Sequence, residues 1–396
     1  MDASLPRFYH PRDMGAPLFS PFQLRSVEFR NRIGVSPMCQ YSSRDGFATD
    51  WHLVHLGSRA QGGAGLVTLE AAAVTPEGRI SPDDLGVWKD EHFLGLLNIA
   101  EFVHSQGARV GMQLAHAGRK ASTASPFNGH GLVLPADGGW QPVAPSAIAF
   151  APTGYAVPTA LNLAGISSVI DAFRNAARRA LNAGFDFVEI HAAHGYLLHE
   201  FLSPLSNLRT DVYGGGFDNR TRLLLEVVDA VRTVWPEHLP LFVRISATDW
   251  AEGGWNPDES VALARLLREH GVDLVDCSSG GNVADAKIPV APGYQVGFAA
   301  RIRREAGIAT AAVGLITEPD RANAIIAGGE ADFVFLARAE LRDPYWPLHA
   351  AEALGETVSW PKQYLRAAPQ GSPARTAVDR KQPPDPTLPS MSAFPE

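Results

Sequence analysis

Short apolar runs alternate with longer amphipathic stretches along most of the chain. Eight of these runs have the length and composition of strands, and most segments between them are long enough for a helix. The predicted strands are 32–36, 66–70, 109–114, 187–190, 241–245, 273–277, 310–313 and 333–336. The predicted helices are 90–105, 167–183, 219–234, 257–270, 297–305 and 318–327. Strands that alternate with helices indicate parallel pairing through helical crossovers.

This number of strand–helix units predicts a closed (β/α)8 TIM barrel, a fold of the α/β class. The chain is long enough for one such barrel with insertions. The alternative is an open doubly wound sheet. It is less favoured because no Gly-x-Gly-x-x-Gly follows the first strand to bind a dinucleotide.

Two segments do not fit the alternation. Residues 122–161 are rich in Gly, Pro and Ser and lie between the third strand and its helix. They are too long for a plain connection, so we predict a lid over the active site, with a disordered insertion as the alternative. Residues 369–396 have too little apolar content to fold and predict a flexible Pro-rich tail, which leaves a single folded domain over 1–368.

Composition places the chain among globular proteins with a sizeable core, because 45% of its 396 residues are hydrophobic and 19% are charged. The net charge of −8 argues against broad attraction to nucleic acid phosphates. The sequence has 2 cysteines, no apolar run long enough for a membrane span and no N-terminal leader pattern. We therefore expect a cytoplasmic protein with no nucleic-acid partner and no membrane partner.

The run His-Ala-Ala-His-Gly-Tyr, from His191 to Tyr196, directly follows the fourth predicted strand. It delivers the imidazoles of His191 and His194 and a phenol to one strand end. An imidazole can donate a hydrogen bond to a substrate oxygen near neutral pH, and a phenol can supply a proton without carrying charge. The zinc-binding helix signature needs a wider spacing with an acid between the histidines, whereas Ala-Ala lies between these two. The motif favours a substrate site without a metal, and a metal-dependent barrel hydrolase or aldolase is the alternative.

In a TIM barrel the active-site residues follow the C-terminal ends of the strands. No acid pair follows the predicted strands, which argues against glycoside hydrolysis and metal-assisted hydrolysis, and no carboxylate is evident beside Arg244 at a neighbouring strand end. Small residues after the second and seventh strands leave room for a large flat group. The Ser-Ser-Gly-Gly run at 278–281, Gly314 and Arg338 suit a phosphate. A planar cofactor with one phosphate would fill both spaces.

Several separated motifs match one family of barrel enzymes. They are Asn31-Arg32-Ile33, Ser36-Pro37-Met38-Cys39, Gln113-Leu114-Ala115-His116-Ala117-Gly118-Arg119-Lys120, His191-Ala192-Ala193-His194-Gly195-Tyr196, Ser203-Pro204-Leu205-Ser206-Asn207, Arg209-Thr210-Asp211, Tyr213-Gly214-Gly215 and Leu341-Arg342-Asp343-Pro344. With these motifs the chain resembles the old yellow enzymes, which are FMN-dependent ene-reductases. Within that family it is similar to the YqjM- and xenobiotic-reductase-like bacterial subclass.

The resemblance implies a tightly but non-covalently bound FMN. Its ring would be surrounded by Pro37, Met38, Cys39, Ala71 and Gln113, with Arg244 near N1 and the C2 oxygen, and its phosphate would be held by Gly314, Ala337 and Arg338. A fixed guanidinium at Arg244 would stabilise the negative charge of the reduced flavin. In the same subclass a cysteine at the position of Cys39 adjusts the redox potential of the flavin, so we expect tuning and not covalent catalysis.

The resemblance also implies the reaction. NADPH or NADH would reduce flavin N5 and leave, and an α,β-unsaturated carbonyl or nitro compound would then take the same place and accept a hydride in a ping-pong cycle. His191 and His194 would bind the substrate oxygen, and Tyr196 would protonate the α-carbon. Tyr41 and Arg366 would contact the substrate. Arg366 would come from a neighbouring subunit, which implies a homodimer or homotetramer.

Overall fold

The computed structural model describes residues 15–129 and 131–378. Its strands are β1 Phe22–Leu24, β2 Val27–Phe29, β3 Ile33–Val35, β4 Leu66–Ala73, β5 Arg109–Ala115, β6 Val143–Ala144, β7 Thr159–Ala160, β8 Phe187–Ala192, β9 Leu241–Ser246, β10 Leu274–Ser278, β11 Ala309–Ala312 and β12 Phe333–Leu336. Strands β3, β4, β5, β8, β9, β10, β11 and β12 pair in parallel in this order and close into a barrel. Each barrel strand overlaps one predicted run, so the predicted TIM barrel is confirmed.

Helices connect the strands and cover the outside of the barrel. They are α1 Asp50–Gln61, α2 Phe93–Ser105, α3 Leu163–Asn182, α4 Leu197–Leu202, α5 Phe217–Arg232, α6 Pro257–Glu269, α7 Val296–Ala306, α8 Pro319–Ala327, α9 Arg338–Arg342 and α10 Trp346–Ala353. All six predicted helices are present, with shifted ends. The sequence pattern misses α1 because His52, His55 and Arg59, which this helix buries, are polar and hide the helical period. Within the described ranges, no helix is both long enough and apolar enough to span a bilayer.

Aromatic rings close the lower, N-terminal end of the barrel. The antiparallel hairpin of β1 and β2 contributes Phe29, and the barrel strands contribute Phe187, Phe242 and Phe333. All four rings are fully buried, and neighbouring ring centroids lie 4.5 to 6.1 Å apart. Aromatic pairs at these separations attract each other beyond the burial of their area, so the rings form a plug that excludes water from below.

Three aspartates tie neighbouring strands together at the same lower rim. Each carboxylate accepts a hydrogen bond of 2.8 to 3.0 Å from the first or second N–H of the adjacent strand, and each pairs with an arginine. The pairs are Asp186–Arg109, Asp273–Arg232 and Asp332–Arg303. Each carboxylate thus satisfies a backbone donor at the point where strand pairing begins.

As far as they are described, residues 122–161 form the predicted lid and not a disordered insertion. Two short strands within the lid, β6 and β7, pair in parallel. The ring of Phe127 lies edge-on to Tyr41, with ring centroids 6.2 Å apart. Further along the lid, Phe150 lies 4.5 Å from Nζ of Lys120. The lid therefore reaches across the upper end of the barrel.

The predicted flexible tail begins inside the described part of the chain. The Arg375 guanidinium donates to the backbone oxygens of Gln61 at 2.7 Å and Ser359 at 2.9 Å, and the Val378 N–H donates to His104 O at 2.9 Å. Arg375 thus supplies donors to backbone carbonyls at the end of α1, and the flexibility of this segment stays a prediction. Residues 379–396 lie outside the described residues, and their flexibility stays a prediction.

Replacing Asp273 with alanine removes the acceptor for Arg25, for Arg232 and for one backbone N–H, at 2.6 to 2.9 Å. We expect the free energy of unfolding to fall by roughly 3 kcal/mol, because two guanidinium groups lose their largely buried partner. Urea denaturation followed by circular dichroism measures the change. The control is Asp171→Ala, which removes a solvent-exposed ion pair with Arg174 and should cost less than about 0.5 kcal/mol. Equal effects of the two substitutions would show that the rim aspartates do not stabilise the barrel.

Candidate active site

The side chains of His191, His194 and Tyr196 converge at the upper end of β8. The ring centroids of His191 and His194 are 5.1 Å apart, and those of His191 and Tyr196 are 5.2 Å apart. His191 is still within the strand and is 3% exposed. His194 and Gly195 then take left-handed φ values of 60° and 72°, which turn the chain sharply. The structure thus brings the three predicted side chains together.

Two other strands hold the backbone of His194 in this turn. At the end of β9, Ser246 Oγ accepts a hydrogen bond from the His194 N–H at 2.9 Å. Beyond β5, Lys120 Nζ donates to His194 O at 2.9 Å and lies 5.1 Å from the ring centre of Tyr196. Burial lowers the pKa of Lys120 to about 8. Sequence reasoning missed both as site residues because they are distant in the chain, although Lys120 belongs to a family motif.

A buried histidine and aspartate support the next residue of the loop. The Gly195 N–H donates to His199 Nδ1 at 2.9 Å, and His199 Nε2 lies 3.0 Å from Asp249 Oδ1. Because Nδ1 accepts this hydrogen bond, a ring proton is assigned to Nε2, which faces Asp249. Burial alone would raise the pKa of Asp249, but His199 and Ser203 outweigh it and lower the pKa to about 2. Neither residue of the pair follows a strand end directly, so the sequence pattern does not reveal them.

The loop after β10 packs directly against the histidine loop. A Cβ atom on Gly281 would lie 2.6 Å from His194 Cα, and one on Gly195 would lie 2.2 Å from Gly281 O. Only glycine fits such a close approach, and both glycines also have positive φ. Gly281 therefore contacts the histidine loop, whereas Gly280 lies near Ile288 and Trp250, and neither glycine lines the cavity described below. Of the expected phosphate-binding run at 278–281, Ser278 is the residue that faces this cavity.

The two imidazoles are uncharged and the phenol is protonated at neutral pH. Burial, and then the positive charge of Arg244, hold the pKa of both His191 and His194 well below its usual range. Burial raises the pKa of Tyr196 well above its usual range. His194 Nε2 is hydrogen-bonded to Ser278 Oγ at 2.6 Å, while His191 Nδ1 has no hydrogen-bond partner among the described residues. The cluster can therefore donate hydrogen bonds and one proton to a bound molecule.

Below the histidines, the barrel interior contains a layer of charged and amide side chains, which we call the charged layer. Arg244 Nε on β9 lies 2.9 Å from Asp276 Oδ2 on β10. Gln113 Nε2 on β5 donates to Glu189 Oε1 on β8 at 2.8 Å. All four side chains are between 0% and 6% exposed. The layer therefore lies between the aromatic plug below and the histidines above.

The charged layer corrects one expectation, that Arg244 has no carboxylate nearby, and reveals two acids that the strand-end pattern does not include. Arg244 has a carboxylate partner on the neighbouring strand, Asp276, and two buried acids do lie beneath the site. Both acids are inside strands, where the alternation of Phe187, Glu189 and His191 directs all three side chains into the barrel. A search confined to residues after the strand ends does not find them.

Cys39, after β3, is not a reactive thiolate. Burial, and then the negative charges of Asp84 and Glu70, raise the pKa of its thiol well above the usual range. Tyr41 is hydrogen-bonded to Cys39, and the Gln40 N–H donates to Glu70 Oε2 at 2.9 Å. The thiol therefore stays neutral at physiological pH.

A cavity of about 160 Å³ opens at the upper ends of β10, β11 and β12. Its lining includes Ser278, Tyr294, Gly314, Ala337 and Arg338. Gly314 has a φ of 125°, and a Cβ atom there would lie 3.1 Å from the Tyr294 ring. The cavity therefore combines a guanidinium with uncovered backbone, which suits a phosphate.

The other predicted cofactor residues surround the same end of the barrel. Pro37 and Met38 are half-buried after β3, and Ala71 is buried on the neighbouring strand β4. Gln113 and Arg244 provide amide and guanidinium N–H groups from the charged layer. These residues and the cavity fit a planar cofactor that carries one phosphate.

Arg366 is not part of this site within the chain. It lies just after the turn Lys362–Tyr364 and is exposed to solvent. Its predicted role in a neighbouring subunit is not tested by a single chain and stays a prediction.

A closed parallel barrel with a neutral histidine pair and a cavity suited to a phosphate on its upper rim is typical of TIM-barrel enzymes that bind a phosphate-bearing cofactor. The chain belongs to the NADH:flavin oxidoreductase / NADH oxidase family, whose sequence profile matches residues 17–356. It is similar to the NADPH dehydrogenase of Halalkalibacterium halodurans, with 50% identity over 352 residues that cover 88% of this chain and 98% of the relative. The NADPH dehydrogenase of Bacillus subtilis is 46% identical over 355 residues, which cover 89% of this chain and 99% of the relative.

Solved structures agree with this assignment. Morphinone reductase superposes with a TM-score of 0.73 and 30% identity, covering 87% of this chain and 91% of that protein. The old yellow enzyme homologue from Zymomonas mobilis superposes with a TM-score of 0.70 and 27% identity, covering 85% and 92% of the two chains. The resemblance to the old yellow enzymes is confirmed, and the protein is a flavin-dependent NAD(P)H oxidoreductase. Family membership favours flavin chemistry over the metal-dependent alternative.

Gly281→Ala tests whether the two loops must touch. We expect kcat/KM for NADPH-dependent turnover to fall by about tenfold to a hundredfold, because the new Cβ would displace His194 by about an ångström. The matched control is Gly253→Ala, where φ is 71° and nothing lies within 4 Å of the added Cβ. Steady-state kinetics of both variants provide the measurement. A similar loss in both would attribute the effect to backbone strain and not to the loop contact.

Proposed function

We propose that this protein is an FMN-dependent ene-reductase, which uses NADPH or NADH to reduce activated C=C bonds of α,β-unsaturated carbonyl or nitro compounds. The observation that carries the proposal is the convergence of two neutral imidazoles, His191 and His194, with the protonated phenol of Tyr196. Neutral N–H groups bind a carbonyl or nitro oxygen without losing a proton. The phenol supplies the proton that saturation of the alkene requires.

The donors of the charged layer and the phosphate cavity support FMN, bound tightly and non-covalently, as the flavin. Gln113 and Arg244 offer N–H groups to a pyrimidine edge, and Gly314, Ala337 and Arg338 line a cavity suited to a single phosphate. Bound FMN would supply hydride transfer between the nicotinamide and the alkene. The buried charge of Arg244 would stabilise negative charge at the pyrimidine edge.

In this proposal each polar side chain of the strand-end cluster has one task. His191 and His194 donate N–H hydrogen bonds to the substrate oxygen, which draws electron density away from the β-carbon. Tyr196 Oη donates its proton to the α-carbon. Lys120, 5.1 Å from the Tyr196 ring, stabilises the negative charge that this leaves on the phenol oxygen.

Three further roles belong to the same proposal. The neutral thiol of Cys39 tunes the flavin without forming a covalent bond, and Tyr41 contacts the substrate beneath the lid residue Phe127. Arg366, exposed on its own chain, completes the site of a neighbouring subunit in a homodimer or homotetramer. Cys39 and Cys277 are both free thiols, which is consistent with a reducing cytoplasm.

An absorption spectrum of the purified protein tests the proposed function. Flavin bands that bleach on anaerobic addition of NADPH and return on addition of cyclohexenone would support both half-reactions. Chromatography of the cofactor released by denaturation distinguishes FMN from other flavins. A flavin that NADPH reduces and that neither enones nor nitroalkenes reoxidise would contradict the ene-reductase assignment.

We expect Tyr196→Phe to lower the rate of enone reduction by about a hundredfold and to leave the rate of flavin reduction by NADPH unchanged, because only the second half-reaction needs the proton. Stopped-flow absorbance separates the two half-reactions. The control is Tyr155→Phe, a lid tyrosine whose ring packs 4.8 Å from Phe150, and both of its rates should stay near wild type. Equal losses in both half-reactions of Tyr196→Phe would indicate that Tyr196 positions the reactants and does not donate the proton.

A further inference from the structure

The charged layer contains two carboxyl groups but only one guanidinium group. Two carboxyl groups, those of Glu189 on β8 and Asp276 on β10, flank the single guanidinium of Arg244 on β9. Both carboxyl groups are fully buried. Among the described residues, Glu189 Oε2 and both carboxylate oxygens of Asp276 have no hydrogen-bond partner, and Asp276 meets Arg244 as an ion pair. The layer therefore carries one acid whose charge nothing nearby balances.

Because the charged layer is buried, it cannot hold two ionised carboxylates beside a single guanidinium. Phe187 and Phe242, two positions below Glu189 and Arg244 on their strands, stack with ring centroids 4.5 Å apart and seal the layer from below. Two carboxylates beside one guanidinium would leave a net negative charge in a region of low polarity, which is strongly unfavourable. Retaining one proton on the pair makes the layer neutral overall.

The contacts show which carboxyl group keeps that proton. Asp276 is in direct contact with the Arg244 guanidinium at 2.9 Å, whereas Glu189 meets only a neutral donor, the amide of Gln113 at 2.8 Å. Burial, and then the charge of Asp276, raise the pKa of Glu189. His191, the titratable group two positions above Glu189 on β8, is uncharged and cannot stabilise a carboxylate. The proton therefore belongs on Glu189.

We infer that Glu189 is a neutral carboxylic acid and that Asp276 alone balances the charge of Arg244. The protonation states of these two carboxyl groups thereby determine the positive electrostatic potential that Arg244 exerts at the flavin site. The inference rests on the proposed position of FMN beside Arg244. Glu189 and Asp276 act through the arginine, as positioning residues. Removing an ionised carboxylate strengthens the attraction of Arg244 for electrons on the cofactor, and removing a neutral acid does not.

The midpoint potential of the bound flavin, measured by spectroelectrochemistry, distinguishes the two carboxyl groups. We expect Asp276→Asn to raise the equilibrium ratio of reduced to oxidised flavin at least about tenfold, which is a rise of about 30 mV in the midpoint potential of a two-electron couple. Glu189→Gln should change this ratio less than about threefold. The matched control is Glu200→Gln, a fully buried carboxyl outside the charged layer, which should leave the potential unchanged. A rise in Glu189→Gln as large as that in Asp276→Asn would overturn the inference, and so would an unchanged potential in Asp276→Asn.

Infrared spectroscopy of the protein as purified detects the proton itself. The spectrum of the wild type minus that of Glu189→Gln should contain the carbonyl stretch of a protonated carboxylic acid at neutral pH. Glu200→Gln shows that such a band is detectable, because burial raises the pKa of Glu200 to about 8. If this difference spectrum contained the band of an ionised carboxylate and no acid band, the inference would be overturned even for a protein that binds FMN. A protein that binds no FMN would contradict the proposed function and would leave this infrared result valid.

Discussion

The interior of this barrel depends on one buried ion pair, between Arg244 and Asp276 at 2.9 Å. Two charges held away from water are stable only as a pair, because removing either partner would leave the other uncompensated. The charge of Arg244 reaches upward to the site, where it helps to keep His191 and His194 neutral. The aromatic plug below and the lid above limit the access of water to the pair, and this strengthens its electrostatic effect on the site.

The chemistry of the upper rim depends equally on a fixed backbone. The left-handed turn at His194 and Gly195 would be strained in isolation. It is held in place because its N–H groups donate to Ser246 and His199 and its carbonyl accepts from Lys120. These supports come from three different elements of the barrel. They leave the side chains of the histidine loop with little freedom, which is what a site that binds one oxygen through two imidazoles requires.

The sequence predicted the barrel correctly because the burial patterns of its strands and helices are visible in the sequence. Barrel strands such as β4 and β8 are buried along their whole length and therefore read as short, mainly apolar runs, and the amphipathic helices between them have the regular period. The His191 motif and Arg338 were also found from sequence, because they follow strands directly. Helix α1 was missed, and so was the partnership of Arg244 with Asp276, because both involve polar residues that become buried only through tertiary packing.

The sequence by itself determined the α/β architecture, the family and the strand-end motif, because these depend on residues that are close together in the chain. The tertiary structure alone decided the charge state of the site and the support of its loop. Both depend on groups far apart in sequence that come together only when the barrel closes, such as the charge of Asp276 near Glu189 and the Lys120 side chain at His194 O. The periodicity of a sequence indicates which face of a strand is buried, but it does not indicate which charged side chains of other strands lie near that face.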